Sequence, residues 1–485
     1  MGKFTVLRSP MTVKNYNDMV PMLRAGLLDG QGLKYKRISD VIERGIEEGV
    51  IAPGTKLPPH RRLSDQLGVT VATVSRAYGE LERLGRVVAR IGDGTFVRDR
   101  AREQQRDRGF RHPGEGVHAY FDMSRNTHIP GAEAECFARS LQALASDPQM
   151  LAALANYAPE VGFERHRQAG ARWLSHGGFV ASAQQVVCVN GGQHGLLSAM
   201  LGLLKSGDTL VTENLSYPGL ISTARLLGIR LIGVEMDAEG LLPQAVEEAC
   251  RGHRISALYC TPTLQNPIAS VQSFERRQAL VEVCRRHNLL IIEDETHGVL
   301  VQDRPEPLSF FAPERTILIG SLSKAVAAGL RVGYMHGPQA LIARLAGGLR
   351  ASCWMATPLM HELAAQWIED GDAQALLARQ VVEISRRKAL VEGLLGGLEY
   401  RTHANSPHFW ISVPQSLRAS EVESALKERG YLIATAELFA VGHGAAAQCV
   451  RASVCNTTGD DRQLQAGFAA LAQVLEQDRL PGQVI

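Results

Sequence analysis

Five apolar runs punctuate the middle of this 485-residue chain, between residues 186 and 320: VVCVN at 186–190, TLVT at 209–212, SALYC at 256–260, LLIIED at 289–294 and TILIG at 316–320. Longer stretches of helical character separate them. Runs that are hydrophobic throughout, without alternation, suit strands buried on both faces, and strands that alternate with helices pair in parallel. This feature predicts an α/β domain with a mainly parallel sheet whose ligands gather at the C-terminal ends of the strands. The length exceeds one typical domain, so at least one more is expected. With 45% hydrophobic and 21% charged residues the chain can bury a large core. No apolar run is long enough for a membrane span, and the first residues lack the order of a secretory signal, so the expected location is the cytoplasm. Eight cysteines lie scattered without a CxxC pair, which predicts no metal site and no disulfide framework.

Charge divides the chain unevenly. Residues 34–111 hold 17 basic and 11 acidic residues, whereas the whole chain carries only +2. An excess of positive charge near the front points to an anionic partner there and a different task behind it. In KYKRISDVIERGIEEG (34–49), Ile38, Val41, Ile42 and Ile46 form one apolar helical face. HRRLSDQLG predicts a short helix, VT a tight turn, and VATVSRAYGELERLG a second helix with Val74, Ala77, Tyr78 and Leu81 inward. RVVARIGDGTFVR then reads as two short strands around Gly92, Asp93 and Gly94. A helix, a helix-turn-helix and a hairpin wing on the basic part of the chain predict a reader of double-stranded DNA.

The run GTKLPPHRRLSDQLGVTVATVSRAYGELERLG, closing on GDGTFV, resembles the winged helix of GntR-type bacterial transcription regulators. The resemblance implies that Arg61, Thr70, Thr73 and Arg76, with the wing at Gly92, face DNA. Val71 stands where that family often has a basic residue. The expected domains are a winged helix-turn-helix at 34–98, a charged and mobile linker at 99–118, and a body at 119–485. Residues 1–33 give no usable pattern.

Candidate groups follow each strand of the body. Gly191 and Gly192 open a helix, where backbone N–H groups can approach an anion. Tyr217 precedes a proline, Asn266 precedes another, and Asp294 closes a hydrophobic run, where a carboxylate is costly unless paired. GSLSKAVAAGLR (320–331) sets Lys324 among hydroxyls, seven residues before Arg331. An aldehyde cofactor needs an amine for a Schiff base, a carboxylate to keep a pyridine nitrogen protonated, and donors for a phosphate. Lys324, Asp294 and the group of Ser321 and Arg331 supply them.

The blocks N-P, D-E-x-x and S-x-S-K-x(6)-R resemble those of fold type I pyridoxal-phosphate aminotransferases, across residues 119–485. The resemblance implies pyridoxal 5'-phosphate on Lys324 as an aldimine, with Asp294 on the ring nitrogen, Asn266 donating to the phenolic oxygen and Tyr217 stacked on the ring. It gives the phosphate to Ser321, Ser323, Arg331, Gly192 and Gln193, with Tyr157 reaching across from a second subunit of a homodimer. Arg451 would grip a ligand carboxylate, its other reading being a structural ion pair. His297 departs from the usual tyrosine, and an imidazole can titrate near neutrality. It also implies a large mainly parallel α/β part and a small C-terminal α+β part.

A GntR-like reader followed by an aminotransferase-like body resembles the MocR subgroup of bacterial regulators. That resemblance implies a transcription regulator that senses a small amine or amino-acid effector, or the cofactor itself, through Lys324. A working aminotransferase with an autoregulatory DNA reader is the alternative, since its lysine and aspartate are intact.

Overall fold

The structure, a computed structural model, describes residues 19–28, 32–90, 94–98, 120–442, 447–455 and 460–476. The chain divides into two compact units, Met1–Arg108 and Gly109–Ile485.

In the first unit, helices α1 (Met19–Leu28), α2 (Lys34–Glu47), α3 (His60–Leu67) and α4 (Val71–Arg83) precede a hairpin of β1 (Val87–Arg90) and β2 (Gly94–Val97). Ile38, Ile42, Leu63, Val74, Ala77, Tyr78 and Leu81 are buried together, as the helical spacing predicts. Gly68, at φ 63°, ends α3 in the left-handed region, and the Thr70 hydroxyl caps α4 by accepting from the Thr73 N–H at 3.2 Å. Tyr78 donates its hydroxyl to the Pro58 carbonyl at 2.9 Å, which satisfies the one polar atom of a buried ring. The strands pair antiparallel, Val87 opposite Val97 and Arg90 opposite Gly94. Gly92 and the linker at 99–118 lie outside the described residues.

Helix α1 corrects the reading of residues 1–33 as patternless. Met19, Val20 and Leu23 enter the same core, and Arg24 donates twice to the Gln66 carbonyl at 2.9 and 2.8 Å. MVPMLRAGLL is almost uniformly apolar, so it shows no amphipathic period; its place comes from packing on α2 and α3.

The second unit is built on a seven-stranded sheet. Its strands are β3 (Val186–Val189), β4 (Thr209–Glu213), β5 (Arg230–Val234), β6 (Ala257–Cys260), β7 (Leu290–Asp294), β8 (Thr316–Ser321) and β9 (Gly333–His336). Their order is β3-β9-β8-β7-β6-β4-β5, and only β9 runs antiparallel to its neighbours. The five apolar runs are thus five of the seven strands. β5 and β9 escaped the reading because one is a half-exposed edge and the other, GYMH, opens on a glycine and closes on a histidine instead of running apolar throughout. Helix α5 (Gly192–Leu203) packs its Leu196, Ala199 and Met200 on the sheet in one core with Val187, Ile292 and Ile319. A four-stranded antiparallel sheet follows, with central strands β10 (His408–Ser412) and β11 (Cys449–Ser453) paired Trp410 to Arg451. It is the small α+β part expected at the C-terminal end, flanked by the helices Ala419–Glu428 and Asp461–Glu476. The C-terminal ends of β3, β4, β7 and β8 open on one side, where the site is built.

Candidate cofactor and ligand site

An anion cup forms where β3 turns into α5. Gly191, at φ 84°, adopts a conformation that side chains resist, and a Cβ there would come within 2.6 Å of Arg331 Nη2. A Cβ on Gly192 would meet Thr296 Oγ1 at 2.7 Å. Glycine therefore lets the first N–H groups of α5 face a cation and two hydroxyl-bearing loops. Arg331 donates to Ser323 Oγ at 3.1 Å, and Ser321 Oγ lies 3.0 Å from Ser323 Oγ and also donates to the Val332 carbonyl. Gln193 donates to Thr223 at 2.9 Å, while its side-chain oxygen is buried without a partner. The cup thus gathers Gly192, Gln193, Ser321, Ser323 and Arg331, and adds Thr296.

Lys324 stands beside the cup. Its Nζ donates to the Asn126 backbone carbonyl at 2.5 Å, and burial, then the positive charge of Arg451, pulls its ammonium from the ordinary 10.5 down to about 8. Asp294 closes β7 and is buried; its oxygens accept from Tyr259 at 2.9 Å and from the Thr296 N–H at 3.0 Å. Burial pushes that carboxyl up, so a cationic partner would stabilise its charged form. The adjacent Glu293 and Glu295 belong to a separate buried cluster with Arg277, at 4.0 and 3.4 Å. His297 is buried with Nε2 unpartnered, and burial, Lys324 and Arg451 push its imidazole down to about 3. The expectation that it titrates near neutrality is therefore corrected: two cations beside a dry ring hold it neutral.

Arg451 comes from the small sheet. It donates to Asn266 Oδ1 at 2.5 Å and to the Ser124 carbonyl, lies over the Phe439 ring at 4.9 Å, and keeps a buried, unpartnered Nε. No carboxylate pairs with it among the described residues, so the ion-pair reading is not what the geometry contains. Holding the Asn266 oxygen also turns that amide's N–H groups outward as donors. Tyr217 and Gln193 crowd over Gly219, whose Cβ would lie 2.3 and 2.2 Å from them. Tyr157 is 80% exposed and faces Trp354 at 6.1 Å, so it stays outside the cup of its own chain.

Four contributors gave no readable signal. Ser124 and Asn126 act through backbone carbonyls, which any residue carries. Tyr259 sits inside an apolar strand, and His408 reaches Asn126 from 282 residues away.

In the reader, Arg61 is exposed on α3, and Thr73 and Arg76 lie on α4. Thr70 is tied up as the helix cap, Arg76 stacks over the Tyr35 ring at 4.4 Å, and Val71 is exposed.

Pyridoxal phosphate fits the body's residues. The glycine cradle accepts a phosphate that a Cβ would exclude, Asp294 waits for a cation, and His297 Nε2 and Gln193 Oε1 lack partners. Arg331, Ser321 and Ser323 would hold the phosphate, Asp294 the ring nitrogen, Asn266 the phenolic oxygen and Lys324 the aldehyde carbon. When bound, that group supplies an aldehyde for amine capture and an electron-withdrawing ring. Arg451 would orient a carboxylate toward Lys324.

The sequence profile of the aminotransferase class I and II family matches residues 131–468, and that of the gntR family of bacterial regulatory proteins matches residues 34–97. The uncharacterized HTH-type transcriptional regulator YdeF of Bacillus subtilis (strain 168) is 29% identical over 455 residues, covering 91% of this chain and 94% of its own. The HTH-type pyridoxine biosynthesis transcriptional regulator PdxR of Corynebacterium glutamicum is 28% identical over 382 residues, covering 75% and 79%. Among solved structures, an archaeal alanine:glyoxylate aminotransferase superposes with a TM-score of 0.69 at 21% identity, over 78% of this chain and 94% of that one. At that identity the likeness is one of fold.

Proposed function

We propose, from the premise that this chain belongs to the aminotransferase class I and II family, that it is a pyridoxal-phosphate-dependent transcription regulator whose body senses an amino-acid effector. The observation that carries the reading is the pairing, on one chain, of a gntR-type winged helix with a site whose half-buried amine, Lys324, has its ammonium lowered to about 8. The architecture is consistent with the MocR subgroup, and the regulators YdeF and PdxR, similar over most of the chain, support it. Within the body, Lys324 would hold the aldehyde and present it to an incoming amine, Arg451 would take the carboxylate, and Asp294 would hold the ring nitrogen in its protonated form. In the reader, Arg61 and Thr73 contact operator DNA, with phosphate contacts setting position and base edges setting sequence. A homodimer presenting two readers is supported by the exposed Tyr157 and Trp354. A cytoplasmic location suits a DNA partner, and no described helix is long and apolar enough to cross a membrane.

One alternative keeps a specific observation: Lys324 and Asp294 are both present, as a working aminotransferase requires. Keto-acid formation during incubation with amino acids would favour it. Gel-shift titration of the chain's own upstream DNA, with and without pyridoxal phosphate and candidate amino acids, tests the regulator. Operator affinity should respond to an amine that changes the cofactor's spectrum, and Arg61→Ala should weaken binding while the spectrum stays. Equal affinity for upstream and random DNA at physiological salt would count against a specific regulator.

A further inference from the structure

Behind Lys324, a short polar chain leaves one atom without a use. His408 is completely buried, and its Nε2 lies 2.7 Å from the Pro267 carbonyl, which can only accept. That nitrogen therefore carries the proton. Burial, with the positive charge of Arg451 next in weight, pushes the ring well below its ordinary range, so Nδ1 is bare and accepts from Asn126 Nδ2 at 2.9 Å. The orientation of the Asn126 amide follows from this logic. Its oxygen is the atom turned away, and it is buried without a partner in a residue that is 6% exposed.

Asn126 also lies directly beside the lysine. Its backbone carbonyl receives the Lys324 amine, and the carbonyl of Ser124, two residues earlier, receives Arg451. The segment thus lies between the group that exchanges with the effector's amine and the group that takes its carboxylate. On the sensor reading, an incoming amine would take over the backbone carbonyl that Lys324 uses, and its carboxylate would meet Arg451. A buried acceptor is then left over, and leaving it unpaired costs the desolvation of that atom.

We propose that Asn126 Oδ1 is a specificity contact for a hydrogen-bond donor on the effector's side chain, so the effector is a hydroxyl- or amide-bearing amino acid, with His408 as the positioning residue. This rests on the sensor reading above. The contact itself needs only an O–H or N–H on the ligand within reach of the lysine's exchange position.

The test is titration of the cofactor-loaded full chain, followed by its visible band, with threonine against 2-aminobutyrate and serine against alanine. The hydroxyl member should bind about 10- to 100-fold more tightly, the range expected when one buried acceptor gains or lacks its donor. Asn126→Ala should erase that preference, and so should His408→Phe, which cannot accept from Asn126 and lets the amide turn. Retention of the visible band reports that each variant is folded and loaded. Equal affinities within each pair in the parent protein would overturn the proposal. So would an Asn126→Ala variant that weakens both members alike, because the oxygen would then serve the amine. If no amino acid of any kind changes the band, the sensor reading itself falls and the proposal with it.

Discussion

The lowered ammonium of Lys324 makes a rate prediction. An ordinary lysine at 10.5 is neutral in roughly one molecule in three thousand at pH 7, whereas one at about 8 is neutral in roughly one in ten, a gain of about 300-fold in nucleophile. Burial is the first cause and Arg451 the second. Since the neutral form attacks, cofactor loading should accelerate as pH rises and level off above about 8. The assay is growth of the visible band after mixing cofactor-free protein with pyridoxal phosphate between pH 6 and 10, with a small free amine run in parallel to remove the aldehyde's own titration. Arg451→Gln removes a positive neighbour, so the ammonium is less disfavoured and the inflection should move to higher pH. Lys324→Ala should give no band, and borohydride should fix the cofactor to the Lys324 peptide of the parent chain. A rate that climbs tenfold per unit up to pH 10 would refute the reasoning, because it would describe an ordinary solvated lysine. An inflection unmoved in Arg451→Gln would remove Arg451 as a cause.

Asp294→Ala takes the counter-charge from a buried ring nitrogen and should weaken cofactor binding by about 3 kcal/mol or more, measured by equilibrium dialysis. Gly191→Ala sets a Cβ within 2.6 Å of Arg331 at φ 84° and ψ 168°, a conformation nearly reserved for glycine, and should strain the cup by about 1–3 kcal/mol, seen as weaker cofactor binding. Because the clash falls on the phosphate cup, pyridoxal phosphate should lose more than pyridoxal in fluorescence titrations. Leu23→Ala in α1 should destabilise the reader by about 2–5 kcal/mol, seen as lost DNA binding at denaturant concentrations where the cofactor band persists.

What could be read from the sequence was what local chemistry marks. The β-type runs are strands because a sheet covered on both faces demands continuous apolar residues, and the glycine, lysine and aspartate blocks fall just past their ends for the same topological reason. The helix-turn-helix was legible because Val74, Ala77, Tyr78 and Leu81 repeat at helical spacing just after a two-residue turn, and Gly68 and Thr70 prove to be the caps that end one helix and start the next. The silent parts depend on distant partners. Helix α1 lacks a polar face and is fixed by the core it joins. Ser124 and Asn126 contribute carbonyls, and the Asn126 to His408 bond joins residues that sequence cannot bring together. His297 showed its identity but not its charge, since its neutrality comes from burial and from Lys324 and Arg451, which approach it only in the fold.

Linkage between the two units is the most direct measurement. Operator affinity is determined with and without a saturating amino acid that changes the cofactor band, and the affinity for that amino acid with and without operator. Both should shift by the same factor, about 5- to 150-fold, because coupling between two ligands is reciprocal. Lys324→Ala should lose the shift while still binding DNA, since the reader has its own core. Affinities that prove independent for every amine that alters the spectrum would contradict the sensor and leave an aminotransferase that happens to carry a DNA-binding domain.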